Sequence, residues 1–245
     1  MKNIRLELQY DGSRYLGWQR LNEKDITIQG KMEDMLSLMS NEKTNVIGCS
    51  RTDKGVHAKG YVCNFITNSE LSPKEIIDYS NKYLPEDIRV IKASEASERF
   101  HARYNAKSKL YRYTIDNNKY ADVFSRKYSS HIPESLDIEL MKIASKNFIG
   151  THDFEGFTTM KSKKKNCVRT ISDIQISQQN NFIFIDYTGD GFLHNMIRII
   201  TGTLLRAARK DLSPQEITNI LTTKDRSIAG PMVESKGLAL IKVSY

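Results

Sequence analysis

Apolar residues recur along this chain at two spacings, and their alternation predicts a mixed α and β protein. Ile4, Leu6, Leu8 and Tyr10 alternate with polar residues, the period-two pattern of a strand with one buried face. Ile28, Met32, Met35, Leu36 and Met39 then fall at three- and four-residue steps, which predicts a helix. Residues 45–49 read as a short buried strand, and residues 61–65 as another with Tyr61, Cys63 and Phe65 on one face. In Ser72-Pro73-Lys74-Glu75 the serine can cap a helix, the proline suits its first turn and the glutamate can close a capping box. Strands follow at residues 88–91 and 110–115.

The second half repeats this grammar. Residues 138–148, ended by Gly150, read as a helix, and residues 168–177 and 181–188 as a hairpin turned by Gln178-Gln179-Asn180. Residues 192–208 are predicted as one long helix. Its Phe192, Met196, Ile199, Ile200, Thr203 and Ala207 would form a buried stripe, while His194, Arg198 and Thr201 share another face. Ser213-Pro214-Gln215-Glu216 opens a further helix with the capping logic of Ser72, and residues 238–245 close as a strand. The order of elements predicts an α+β fold with mainly antiparallel pairing, divided into halves at residues 1–104 and 105–245.

Composition narrows the partners. At 245 residues the chain can bury a proper core, and 37 Lys plus Arg against 29 Asp plus Glu give a formal net charge of +8. Such a balance suits a polyanion, because phosphate contacts supply the sequence-independent part of nucleic-acid affinity. The N-terminus alternates charged and apolar residues without the long apolar run of a signal peptide or membrane span, so a cytoplasmic protein without a membrane partner is expected. Cys49, Cys63 and Cys167 are odd in number and lack metal spacing, so neither a disulfide framework nor a metal site is implied.

Candidate chemistry concentrates in residues 48–58, where Asp53 lies between Arg51 and Lys54 in a turn closed by Gly55. Neighbouring cations favour the ionised form of a carboxylate, the state a nucleophile needs. The same residues could also merely tie down a turn, since Asp and Gly are turn formers for local reasons. Arg51-Thr52-Asp53-Lys54-Gly55-Val56-His57-Ala58 resembles the active-site motif of the tRNA pseudouridine synthase A family. The resemblance continues through Tyr10-Asp11-Gly12 with Tyr15, Gly17, Trp18 and Gln19, then Phe100-His101-Ala102-Arg103, then Tyr111-Arg112-Tyr113. It closes with Phe192 to Arg198, Gly202-Thr203, Gly237-Leu238, Val243 and Tyr245, in the same order, so that essentially the whole chain is covered.

This resemblance implies a pseudouridine synthase fold, two α/β halves sharing a central mainly antiparallel sheet with a cleft between them. It further implies isomerisation of uridine to pseudouridine in the tRNA anticodon arm, around nucleotides 38 to 40, by a homodimer, with Asp53 as the catalytic carboxylate and no cofactor. The carboxylate could attack the sugar or the base, or assist loss of a sugar proton. Tyr111 would stack on the target uracil and help remove its C5 proton, and Arg198 would pair with Asp53, while Arg51 would bind substrate beside it. On the residues alone, Tyr111 and Tyr113 could equally fill the core, and Arg198 could be a surface cation of little consequence.

Further RNA contacts are expected at Arg14 and Arg20, which bracket Trp18, and at Lys54 and Arg103. Lys163, Lys164 and Lys165 belong to a basic run that would either grip phosphates or form a solvated charged loop. His57 is read as an orienting hydrogen-bond group rather than a base. Where the family pattern has small residues this chain carries Cys49-Ser50; Lys54 replaces an Ala, and Asn195 and Ile199 replace a His and an Asn. These departures leave room for a paralogue acting on another RNA such as ribosomal RNA. A non-catalytic protein that binds or remodels tRNA is the alternative from another class, with Asp53 then structural. A hydrolytic nucleosidase would need a second carboxylate that the motifs do not offer.

Overall fold

The computed structural model describes residues 1–22, 24–160 and 166–245. In chain order its elements are β1 (Lys2–Tyr10), α1 (Ile28–Ser40), β2 (Ile47–Gly48), β3 (His57–Thr67), α2 (Pro73–Tyr83), β4 (Ile88–Ala96), β5 (Ser108–Asp116), β6 (Ser130–His131), α3 (Ile138–Ser145), β7 (Gly150–Asp153), β8 (Val168–Gln179), β9 (Phe182–Gly189), α4 (Met196–Ala208), α5 (Pro214–Thr223) and β10 (Leu238–Ser244). The architecture is mixed α+β with mostly antiparallel strands, as the periodicity predicts. No helix among the described residues is long and apolar enough to cross a membrane.

Two compact units are distinguished, one of residues 1–107 with 239–245 and one of residues 108–238. In the first, β1 lies between β3 and β4, antiparallel to both, and β10 adds to β3 in parallel through Ala239 and Leu240 opposite His57 and Ala58. Ile4, Leu6, Leu8 and Tyr10 are all buried, so the alternation of β1 is realised as one core face. α1 buries Ile28, Met32, Met35 and Leu36, while in its last turn Leu38 is exposed and Met39 only half-buried, and the helix ends at Asn41 in the left-handed region (φ 51°).

In the second unit β5, β9, β8 and β7 form a continuous antiparallel run, with β6 parallel to β5. β8 and β9 make the expected hairpin around Asn180, whose φ of 53° is the left-handed conformation that asparagine tolerates. Arg112 on β5 donates from Nε and Nη2 to the two carboxylate oxygens of Asp186 opposite it on β9, both at 2.7 Å. α4 buries nearly its whole surface, including Ile199, Ile200, Thr203 and Ala207.

The helix predicted over residues 192–208 begins only at Met196, because Asn195 sits at φ 60° and breaks the helical path. Phe192 and His194 therefore lie on the preceding loop, and Thr201 is fully buried, its Oγ1 2.8 Å from the Tyr187 hydroxyl. Both predicted capping boxes form: Ser72 receives the Glu75 N–H while the Glu75 carboxylate receives the Ser72 N–H, and Ser213 and Glu216 do the same. Ser72→Ala and Ser213→Ala are each expected to lower stability by about 1 kcal/mol. Chemical denaturation should show a lower midpoint at unchanged m-value, with the double variant additive because the caps share no partner.

Candidate active site

The turn that carries Asp53 is held from beneath by an aromatic cluster. Trp18 stacks on Tyr61 at 4.0 Å with planes 25° apart, and Tyr10 leans on Tyr61 at 5.6 Å. The Tyr61 hydroxyl donates to the Ser50 carbonyl, and the Tyr10 hydroxyl lies 2.9 Å from Thr52 Oγ1. Burial pushes the Tyr61 phenol far up, so it remains a donor. A Cβ on Gly48 would stand 2.1 Å from the Tyr61 hydroxyl and 2.6 Å from the Trp18 ring, so only glycine lets β2 lie this close to the cluster.

A second strap comes from residues 11–18. The Trp18 N–H donates to the Thr52 carbonyl at 3.0 Å, and the Gly55 N–H to the Tyr15 carbonyl at 3.4 Å. Within the turn the Val56 N–H donates to the Asp53 carbonyl at 3.1 Å, with Gly55 at φ 78°. Gly17, at φ 106°, would place a Cβ 2.5 Å from the Thr52 carbonyl and 3.1 Å from the Asp53 carbonyl carbon. The backbone of Asp53 is thus fixed on both flanks while the residue itself stays half-buried.

The cations flanking Asp53 do not clamp it: Arg51 and Lys54 are exposed and make no ion pair or hydrogen bond among the described residues. His57 lies at the start of β3 rather than in the loop, and is buried. Its Nδ1 lies 3.1 Å from the Gly12 backbone nitrogen. The Asp11 carboxylate lies 3.2 Å from the same nitrogen, so His57 ties residues 11 and 12 to β3. Arg14 pairs with Asp87 through Nε at 2.5 Å, and Asp87 also receives the Tyr15 hydroxyl at 2.6 Å. Burial and that bond push the Tyr15 phenol up to about 12. Arg20 is engaged by Asp34 at 2.8 Å and Glu33 at 3.4 Å. Both arginines are thus tied to carboxylates of their own unit.

In the second unit, Lys109, Tyr111, Tyr113 and Ile115 share the buried face of β5. Tyr111 meets the edge of Phe192 at 5.4 Å with planes 82° apart, a contact made possible by the late start of α4. Tyr113 is a core residue: its hydroxyl donates to the Glu234 carbonyl at 2.9 Å, and burial raises its phenol. Lys109, only 8% exposed, is a cation that the sequence reading passes over. Its place two residues before Tyr111 on the same strand face is the signal that could have found it.

Arg198 lies in the first turn of α4 and is half-buried. Its Nε donates to the Val233 carbonyl at 2.7 Å and its Nη1 to Asn195 Oδ1 at 2.9 Å. Asn195 in turn donates from Nδ2 to Thr159 Oγ1 at 2.7 Å. The segment that supplies Val233 packs directly on the helix: a Cβ on Gly202 would lie 1.8 Å from the Pro231 carbonyl, and the Gly230 N–H donates to Thr203 Oγ1 at 2.9 Å. His194 is exposed, its Nδ1 2.8 Å from Thr159 Oγ1. Arg103, in the first unit, is exposed. Lys163, Lys164 and Lys165 lie outside the described residues.

Comparison with known proteins gives the family. The family model described as tRNA pseudouridine synthase matches residues 8–105 and 144–245. The chain is 43% identical over 245 residues to tRNA pseudouridine synthase A 2 of Bacillus anthracis and 46% identical to tRNA pseudouridine synthase A 1 of Clostridium tetani, each over 100% of both chains. It is 47% identical, over the same full lengths, to tRNA pseudouridine synthase A of Bacillus sp. strain KSM-64. With matching residues spread over both units and full-length identity at this level, the chain belongs to the tRNA pseudouridine synthase family.

Proposed function

We propose that this protein isomerises uridine to pseudouridine in tRNA, in the anticodon arm around nucleotides 38 to 40, with Asp53 as the catalytic carboxylate. The observation that carries the reading is the strapped turn, which holds the Asp53 backbone through the Thr52 carbonyl, the Ser50 carbonyl and the Asp53 carbonyl itself. Such investment in one half-buried carboxylate is what a reacting group requires, since catalytic geometry tolerates little displacement.

In this reading the bond from uracil N1 to C1′ breaks, the base turns, C5 bonds to C1′, the C5 proton leaves and N1, freed from the sugar, takes up a proton. Atoms balance without redox change, hydrolysis or a cofactor. Asp53 begins the exchange, Tyr111 stacks on the uracil and helps take the C5 proton, and Arg198 and Arg51 bind the substrate around the carboxylate. The bonds from Arg198 to Val233 and Asn195 fix the plane of its guanidinium. Reaching a stacked uridine requires flipping it out at a cost of a few kcal/mol, which phosphate contacts offset. Arg51, Lys54, Arg103 and the run containing Lys163, Lys164 and Lys165 are the cations assigned to those contacts. Arg14 and Arg20, held by carboxylates, contribute less, and His57 positions residue 12. The protein acts in the cytoplasm as a homodimer.

Asp53→Asn is expected to abolish pseudouridine formation on an unmodified tRNA transcript while leaving its binding within about twofold, since one charge is lost and no contact volume. Loss of binding in step with activity, at an unchanged melting temperature, would assign Asp53 to recognition instead. Mapping of pseudouridine by carbodiimide-blocked primer extension in a deletion strain complemented with wild type or Asp53→Asn identifies the RNA and its position. Marks restored only in ribosomal RNA would overturn the tRNA target. Arg198→Lys keeps the charge but loses the planar fork, and a single-turnover rate about ten- to a hundredfold lower is expected at similar affinity.

A further inference from the structure

Away from the Asp53 turn, the first unit builds a second rigid turn, at residues 97–105, from buried amides. Asn3, 5% exposed, donates from Nδ2 to the carbonyls of Ser97 and Phe100, both at 2.9 Å, and its Oδ1 receives Asn64 Nδ2 at 3.0 Å. Asn64, 1% exposed, accepts the Ala102 N–H at 2.9 Å through Oδ1. The Tyr245 hydroxyl donates to the Ala102 carbonyl at 2.7 Å. Asn105 closes the turn: its Oδ1 accepts the His101 N–H at 2.7 Å and its N–H donates to the His101 carbonyl at 3.0 Å. Placing two amides inside a strand core is costly unless every polar atom is satisfied, and here the satisfied atoms all serve to fix one surface turn.

The turn displays an aromatic and a cation. Tyr104 is 79% exposed, yet its ring stacks on the imidazole of His101 at 4.1 Å with planes 28° apart. His101 is itself locked, since its Nδ1 accepts the N–H groups of Arg103 and Tyr104, each at 3.2 Å. One face of the tyrosine is thus backed by a fixed ring and the other is open to solvent. The Arg103 side chain is exposed and makes no hydrogen bond or ion pair among the described residues. Arg99 and Lys107 in the same segment are exposed as well, against the single acid Glu98.

We propose that Tyr104, backed by His101 and flanked by Arg103, is a preformed platform that stacks an unpaired base of the RNA substrate while Arg103 binds an adjacent phosphate. The inference rests on the RNA-modifying reading above and adds to it a recognition surface. Exposed aromatics on a rigid support stack on splayed bases at little entropic cost, and the excess of cations suits the phosphate backbone better than a protein surface.

Filter binding of an unmodified tRNA transcript, repeated over a salt series, tests it. Tyr104→Ala should weaken binding about ten- to a hundredfold without changing the salt slope, and Tyr104→Phe should bind within about twofold of wild type. Arg103→Gln should reduce the slope of log affinity against log salt by about one. Matching melting temperatures keep these variants comparable. Tyr104→Ala binding as tightly as wild type overturns the platform, as does an equal loss with Tyr104→Phe. A Tyr104→Ala variant that changes sedimentation but not RNA affinity assigns the patch to a second copy and overturns it too. Pseudouridine formation by the wild type is scored in parallel: tRNA binding without product defeats the synthase reading, while the binding series still decides the platform.

Discussion

The close approach of residues 12–18 to the Asp53 turn is the constraint on which the first unit depends. Three glycines make it possible, each at a place where a single methyl group would meet its neighbour at 2.0 to 2.5 Å: Gly12 against the Val56 carbonyl, Gly17 against the Thr52 carbonyl, and Gly48 against the Tyr61 hydroxyl. Close backbone contact converts the flexible choice of a loop into a single conformation, because the hydrogen bonds from Trp18 and Gly55 can form in only one register. The aromatic layer of Tyr10, Trp18 and Tyr61 then supplies a floor that cannot yield, since protein interiors pack as densely as crystals. Asp53 inherits that rigidity without being buried itself, which is how a carboxylate can be both accurately placed and open to a substrate.

The distribution of charge follows a comparable division. Arg14, Arg20 and Arg112 are each held by carboxylates of their own unit, and such pairs fix local geometry more than they add stability. Arg51, Lys54 and Arg103 are exposed and have no such carboxylate among the described residues. Arg51 and Lys54 lie on the Asp53 turn and Arg103 on the turn of residues 97–105, and both turns are held by hydrogen bonds with buried residues. A polyanion would be drawn to both turns.

Local signals in the sequence were legible where a single residue type dictates a local bond. The capping boxes at Ser72 and Ser213, the β1 alternation and the hairpin around Asn180 all follow from nearest-neighbour chemistry. The start of α4 did not, because Phe192 continues the helical spacing of Met196 and Ile199 although Asn195 interrupts the backbone. Nor could pattern show that Arg14 and Arg20 meet Asp87 and Asp34, or that His57 opens a strand and meets Gly12, since those partners are set by tertiary approach. The pairing of β10 with β3 joins residues more than 180 positions apart, a relation that periodicity does not encode. The Asp53 turn stands out in sequence by its Asp and Gly, but its supports, Tyr15, Trp18 and Tyr61, are set by tertiary approach, and Lys109 hides in a strand whose sequence reads as ordinary alternation.

The same distinction bears on the residues by which this chain departs from the family pattern. Cys49 and Ile199 are fully buried, so their side chains alter core packing and cannot touch an RNA. Ser50 enters the site through its carbonyl, which receives the Tyr61 hydroxyl whatever side chain residue 50 carries. Asn195 is different in kind: its amide oxygen accepts from Arg198 and its amide nitrogen donates to Thr159, so it supplies the acceptor that steadies the guanidinium. Of the five departures Lys54 is the exposed one, next to the proposed catalytic carboxylate. Cys49 and Ile199 therefore act within the core and Asn195 through Arg198, while Lys54 offers an exposed ammonium, a point charge that can grip a phosphate but reads no base.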